Sequence, residues 1–220
     1  MASRRDTRRR VSSYGGFPKR TGSIRPLKTT VLIVGEGGTE QYYFDGLKRD
    51  EAVSRAFTVT IKDAGGGSAE EVVRSAIHHV ERARQENREY DVAYCVMDVE
   101  GRDKRMSLSR ARTLARDSSI RCCLSNPSFE VWLLAHFTRT CKSFGNAANV
   151  VAELEKFWKT STAAAYDKND RGIYQRIGHL VKAAVTNARS VHKQDHRDGD
   201  IADCDSSTDV YELISYLLGR

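Results

Sequence analysis

Residues 31–44 read VLIVGEGGTEQYYF. The first four are aliphatic, and three are β-branched, which is typical of a buried strand. The apolar run then ends in a glycine-rich segment that includes two acidic residues, Glu36 and Glu40. We therefore expect a buried strand that leads directly into acidic side chains, with Glu40 at or near the first turn of the following helix.

The pattern of residues 31–44 recurs along the chain. β-Branched runs occupy residues 30–34, 57–61, 91–97 and 120–124, and segments with helical spacing occupy residues 40–50, 68–87 and 103–117. Strands that alternate with helices are typical of βαβ units and a parallel sheet. We therefore predict an α/β fold with a four-stranded, mainly parallel sheet.

The remaining segments suggest three parts. We expect residues 1–28 to form a disordered basic arm, residues 29–137 an α/β domain, and residues 138–220 a helical extension packed on that domain. Within the second part, FEVWLLAHF (129–137) reads as an apolar helix that starts at Pro127 and Ser128. Within the third part, helices are predicted at residues 147–159, 174–190 and 208–218.

The net charge of +7 belongs almost entirely to the first 30 residues, which have nine Lys or Arg and one acid. The other 190 residues hold 27 basic and 28 acidic groups, so the folded part is close to neutral. A basic arm of this kind contacts phosphate backbones or simply improves solubility. The candidate nucleic-acid-binding residues are Arg4, Arg5, Arg8, Arg9, Arg10, Lys19 and Arg20.

Several protein classes are not supported by the sequence. No apolar stretch approaches the roughly 18 to 20 residues of a membrane-spanning helix, and no apolar segment follows the basic N-terminus as in a signal peptide. We therefore expect a cytoplasmic protein. The five cysteines are odd in number and lack Cys-x-x-Cys spacing, so neither a disulfide framework nor a zinc site is indicated. No phosphate-binding Gly-x-x-x-x-Gly-Lys loop is present.

A second pair of acids, Asp98 and Glu100, follows the third predicted strand. Because Asp98 and Glu100 are two residues apart on an extended chain, their side chains point to the same side. Ligands of open parallel sheets bind beyond the carboxyl ends of the strands, where the winding direction reverses. If the first and third strands are neighbours, all four carboxylates of Glu36, Glu40, Asp98 and Glu100 converge on one crevice.

Converging carboxylates disfavour each other's ionisation, and a divalent cation removes that cost. Hard oxygen ligands without His or Cys suit Mg²⁺ or Mn²⁺. The alternative is that these acids are simply solvated residues of loops. Two further residues have the same ambiguity. Glu130 is either a first-turn acid favoured by the helix dipole or a residue that supports the site, and Lys168 is either a solvated lysine or a contact to the scissile phosphate.

The chain resembles the Toprim proteins, which include topoisomerases, primases and OLD-family nucleases, and more closely the RloB family of Toprim-like proteins linked to bacterial restriction and abortive-infection loci. The matching segments run in order along nearly the whole chain: EGGTE (36–40), Asp98-Val99-Glu100, SNPSFEVWLLAHF (125–137), Tyr166-Asp167-Lys168, Asn187-Ala188-Arg189 and STDV (207–210). SNPSFEVWLL is the most specific of them. One departure is Glu100, which stands where the Toprim pattern has a second Asp.

The resemblance implies a Toprim-like Rossmannoid and a metal-dependent nuclease that cleaves DNA or RNA as an anti-phage effector, beside an AAA-type ATPase partner. It gives Glu36 the role of general acid/base or metal ligand, and Asp98 and Glu100 that of metal ligands. Glu40 becomes a further ligand. Two alternatives stay open, a non-catalytic subunit that binds nucleic acid or a partner, and a nucleotidyl transferase. The sequence leaves homo-oligomer formation open.

Overall fold

The computed structural model describes residues 27–99 and 105–219. The arm residues predicted to bind nucleic acid, Arg4 to Arg20, and the predicted metal ligand Glu100 therefore lie outside the described residues. The first described residues, Leu27 and Lys28, directly precede the first strand.

A mostly parallel sheet of five strands forms the centre of the protein, with spatial order β2-β1-β3-β4-β5. Its strands are β1 (Thr29–Gly35), β2 (Phe57–Asp63), β3 (Val92–Asp98), β4 (Arg121–Asn126) and β5 (Ser207–Thr208). The first four are parallel, and β5 is antiparallel to β4. The α/β fold class is confirmed, but the predicted number of four strands is wrong.

The fifth strand comes from the segment predicted to be helical. It has only two residues, both polar, so no apolar alternation marks it in the sequence. Two interactions hold it against β4. The hydroxyls of Ser125 and Thr208 are 2.8 Å apart, and Asp209 exchanges backbone and side-chain hydrogen bonds with Leu124. The predicted helix 208–218 consequently begins later, at Val210.

Helices cover both faces of the sheet. Those of the described residues are α1 (Gly38–Leu47), α2 (Glu51–Ala56), α3 (Ala69–Gln85), α4 (Arg105–Asp117), α5 (Glu130–Ala135), α6 (Ala147–Thr162), α7 (Ile173–Ile177), α8 (Val181–Ser190) and α9 (Val210–Leu217). The short helix α2, capped by the Asp50 side chain, was not predicted. The predicted helix 174–190 is interrupted by a 3₁₀ turn at Gly178–Leu180.

Local signals explain the start of α3. The Ser68 side chain accepts a hydrogen bond from the Glu71 N–H, and the Glu71 carboxylate accepts one from the Ser68 N–H at 2.6 Å. This reciprocal pair is a capping box, which satisfies two N–H groups that the helix itself leaves unbonded. The helix predicted for residues 68–87 is confirmed, and Ser68 caps its start.

The core consists of two apolar layers, one on each face of the sheet. Along β1, Val31 and Ile33 point into the layer shared with α1, α5 and the C-terminal helices, whereas Leu32 and Val34 point into the layer shared with α3 and α4. A strand buried on both faces explains the uninterrupted apolar run VLIV. Within the described chain, none of the helices has the length and apolar character needed to cross a membrane.

Candidate active site

The site lies where the winding of the sheet reverses. The chain passes from β1 to β2 on one side and then returns across β1 to β3 on the other, so β1 and β3 are neighbours. The crevice beyond the carboxyl ends of these two strands is the usual ligand position in such sheets. Glu36 directly follows β1 and Asp98 ends β3. The first and third strands are thus neighbours, which is the condition on which the predicted convergence of the carboxylates depended.

A hydrogen bond joins Glu36 and Asp98. The backbone N–H of Asp98 donates a hydrogen bond of 3.2 Å to Oε2 of Glu36. On the opposite side, the backbone oxygen of Glu36 accepts from the N–H of Gly66, at 2.9 Å. Glu36 is therefore fixed between the end of β3 and the loop that follows β2.

Gly66 belongs to a run of three glycines, each with a positive φ of 81° to 112°. Such backbone angles are strained for residues with a side chain. The loop lies at the cleft, and a Cβ built at Gly66 would meet no atom within 4 Å. The glycines therefore let the backbone turn sharply beside Glu36 without filling the cleft.

Glu40 lies in the first turn of α1, as predicted, but it is buried, with 5% of its surface exposed. Burial chiefly, and to a smaller extent the neighbouring carboxylates of Glu130 and Glu36, raise its pKa to about 8. Gly35 permits this packing, since a Cβ there would lie 2.8 Å from Cβ of Glu40. At neutral pH Glu40 is therefore mainly protonated.

Glu130 is a buried carboxylate with three donors. Ser128 Oγ donates to its Oε2 at 2.6 Å, while the Tyr166 hydroxyl and Lys168 Nζ lie 3.2 Å and 2.9 Å from its Oε1. Ser128 thus contacts Glu130 and does not cap α5 with its side chain. Burial, and secondarily the charge of Glu130, raises the pKa of Tyr166. The structure therefore gives Glu130 a specific partner in Lys168 that the sequence pattern alone did not indicate.

Lys168 reaches the cleft from the segment between α6 and α7. A hydrogen bond of 3.2 Å from the Thr39 hydroxyl to the Lys168 backbone oxygen ties this segment to the start of α1. The cleft has a volume of about 330 Å³ and is lined by Glu36, Glu40, Asp98, Glu130, Lys168 and the glycine-rich segments. Five of the predicted site residues therefore share one cavity. Thr39 was missed in the sequence because its partner is 129 positions away.

The side chains of the cleft bear on whether a divalent metal fits there. Among the residues that the structure describes, no three His, Cys, Asp or Glu side chains are grouped to hold an ion. Mg²⁺, however, commonly takes only one or two protein carboxylates and completes its shell with water and phosphate oxygens. Glu36 and Asp98 line the same cleft and would supply such a pair, and the raised pKa of Glu40 reflects burial beside negative charges. The site fits Mg²⁺ or Mn²⁺ on two carboxylates, and the four-ligand set stays a prediction.

Fold and site together define an α/β protein with an acidic cleft at the switch point of a mostly parallel sheet. Within that class, the sequence profile of the family described as RloB-like protein matches residues 31–217. The chain therefore belongs to the RloB-like family, as the motifs predicted. Searches of the curated proteins and of the solved structures found no match.

Proposed function

We propose that this RloB-like protein is a metal-dependent nuclease of Toprim-like fold that hydrolyses phosphodiester bonds of DNA or RNA. The strongest support is the hydrogen bond between Glu36 and Asp98 at the point where the winding of the sheet reverses. Lys168 lines the same cleft. Acidic and basic groups are thus present together, as phosphodiester hydrolysis requires.

Each residue has a proposed role. Glu36 and Asp98 would hold Mg²⁺ or Mn²⁺, together with Glu100, which lies outside the described residues, and such an ion supplies a water of lowered pKa and neutralises charge on the leaving oxygen. Lys168 binds a phosphate oxygen. Glu130 keeps the ammonium group of Lys168 at the cleft through their 2.9 Å contact. Alternatively, Glu36 serves as the general acid/base.

The biological role is inferred from the resemblance to the RloB family and its association with restriction and abortive-infection loci. We propose that the protein acts in the cytoplasm as an anti-phage effector, with an AAA-type ATPase as partner. The near-neutral charge of the folded part supports a need for additional binding surfaces, such as the basic arm or that partner.

The test is cleavage of plasmid DNA, single-stranded DNA and transfer RNA by the purified protein, with Mg²⁺, Mn²⁺ or EDTA. Glu36→Gln and Asp98→Asn are compared with Glu155→Gln, a matched change at an exposed glutamate on α6. We expect cleavage only with metal, and a loss of about 100-fold or more in the first two variants. Equal cleavage by wild type, Glu36→Gln and Asp98→Asn would remove the basis for a nuclease.

One observation favours the alternative of a non-catalytic subunit that binds nucleic acid or a partner. In the described part of the chain, no three potential ligands are grouped around a common point. For such a subunit we expect nucleic-acid binding that depends on the arm and is unchanged by Mg²⁺, with no cleavage of any substrate.

A further inference from the structure

A groove runs along the outer face of α4, away from the cleft. It has a volume of about 370 Å³, and its polar lining consists of Ser109, Arg112, Thr113, Arg116 and Asp200. We propose that this α4 groove binds the sugar-phosphate backbone of a nucleic acid. Its use in guiding substrate toward the cleft rests on the proposed nuclease function, whereas the binding itself does not.

The spacing of the α4 side chains supports a binding face. Ser109, Arg112, Thr113 and Arg116 follow one another at intervals of three, one and three residues, which places them in a single stripe along the helix. The opposite face is apolar, where Leu108, Ala111 and Ala115 are buried against the sheet. The stripe therefore presents arginine and hydroxyl donors, the groups that most often contact phosphate oxygens.

The charge of α4 is unusual for this protein. Helix α4 has four arginines and one acid, Asp117, although the folded part as a whole is nearly neutral. Helix α3, which packs beside α4, instead has three acids and three arginines within Ala69–Gln85. A positively charged helix in a domain of nearly neutral net charge attracts a polyanion locally.

Each arginine of the groove has an acidic partner at the protein surface. Arg112 pairs with Asp200 across the groove at 2.6 Å, and Arg116 contacts Asp117 at 3.2 Å. All four side chains are substantially exposed, so these pairs contribute little to stability and exchange readily for phosphate. Asp200 would then repel a polyanion. Removing its charge should therefore strengthen binding, whereas removing the charges of the arginines should weaken it.

One wall of the groove is connected to the carboxyl end of β4. The segment with Asp200 is anchored there by Asn126, whose side chain donates to the backbone oxygens of Ile201 and Ala202 at 2.9 Å and 3.2 Å. Asn126 ends β4, and the residue before it, Ser125, is the register partner of Asp98. The segment that carries Asp200 is therefore linked to the carboxyl end of β4, the strand next to β3.

The experiment measures binding of labelled single-stranded DNA, duplex DNA and RNA oligonucleotides by fluorescence anisotropy, in EDTA and over a range of salt concentrations. Full-length Arg112→Gln/Arg116→Gln is compared with Arg55→Gln/Arg84→Gln, which removes two exposed arginines elsewhere. All variants are also measured in a full-length background with the arginines of the arm changed to Gln, so that the arm does not mask the groove.

We expect the groove variant to bind about 5- to 10-fold more weakly, with a salt slope reduced by about 1 to 2, and the control pair to bind as wild type. Asp200→Asn should bind about 2- to 3-fold more tightly, a gain that misfolding does not produce. Equal affinity in the groove and control variants would overturn the proposal. Because EDTA prevents metal-dependent cleavage, weaker binding by the groove variant supports the groove even if no nuclease activity is found.

Discussion

The backbone N–H of Asp98 lies 3.2 Å from Oε2 of Glu36, although 62 positions separate the two residues. The contact forms because β1 and β3 are adjacent and parallel, so that their carboxyl ends meet. It brings two carboxylates to one crevice, and a third, Glu40, retains its proton at neutral pH because it is buried and, to a smaller extent, because negative charges lie nearby. Added positive charge at this point should therefore stabilise the folded protein.

The first prediction is that millimolar Mg²⁺ raises the thermal midpoint of unfolding, by about 3 °C or more, because the ion binds the folded state alone. Differential scanning fluorimetry with MgCl₂ and with EDTA measures this without any substrate. Glu36→Gln and Asp98→Asn should lose the shift, and Glu155→Gln should keep it. A shift of the same size in all four proteins would mean that Mg²⁺ acts elsewhere.

The second prediction concerns Glu130 and Lys168. Removing the lysine leaves a buried carboxylate without its cation, so Lys168→Met should destabilise the protein more than it does when Glu130 is already Gln. The lysine side chain is 56% exposed, so we expect a coupling free energy of only about 1 kcal/mol. Urea unfolding of the wild type, both single variants and the double variant measures it. Additive effects would show that the contact is energetically unimportant.

Local sequence signals predict much of the framework but few of its long-range contacts. The apolar runs marked the four parallel strands, and Ser68 marked the start of α3, because burial and capping each depend on neighbouring residues. Strand β5 was missed because it is held by bonds to Ser125 and Leu124, not by its own pattern.

The site shows the same division. Glu36 and Asp98 were predictable because acids that end parallel strands meet at one edge of the sheet. The burial of Glu40 was not, since it depends on the close packing that Gly35 permits. The contacts of Glu130 with Tyr166 and Lys168 join segments that are far apart in the chain, and no local pattern specifies them.

The third prediction concerns His136, a buried residue that directly follows the last residue of α5. The backbone oxygen of Trp132 can only accept, so Nδ1 of His136 donates to it at 3.0 Å, and Nε2 accepts from the Tyr43 hydroxyl at 3.1 Å. Burial lowers the pKa of His136 to about 4. The histidine is thus neutral in the folded protein, whereas the unfolded chain binds a proton near pH 6.5.

Stability from His136 is therefore fully present above pH 6.5 and is lost as the pH falls toward 4, by about 3 kcal/mol across that window. Urea unfolding at several pH values between 4 and 7 measures the dependence. His136→Gln should show a smaller loss toward acid than the wild type, whatever its stability at pH 7. Parallel curves for the two proteins would contradict the neutral, buried state of His136.

The fourth prediction concerns Asp209, whose contribution to stability changes with pH in the opposite direction to that of His136. Burial raises its pKa to about 7, against an ordinary value of 3.8, and its Oδ1 accepts a hydrogen bond from the Leu124 N–H. Because the folded pKa is the higher one, the stabilising contribution is fully present below pH 3.8 and is lost as the pH rises through 7. Since part of the side chain reaches solvent, we expect about 2 kcal/mol.

Asp209→Asn keeps the acceptor for Leu124 but cannot ionise, so its stability relative to the wild type should increase between pH 4 and 7. His136 and Asp209 act in opposite directions over this range, and the wild-type curve alone therefore shows only their difference. Measuring each variant against the wild type separates the two contributions. A free-energy difference for Asp209→Asn that stays constant from pH 4 to 7 would mean that Asp209 is already ionised in the folded protein, and that the junction between β4 and β5 tolerates a buried negative charge.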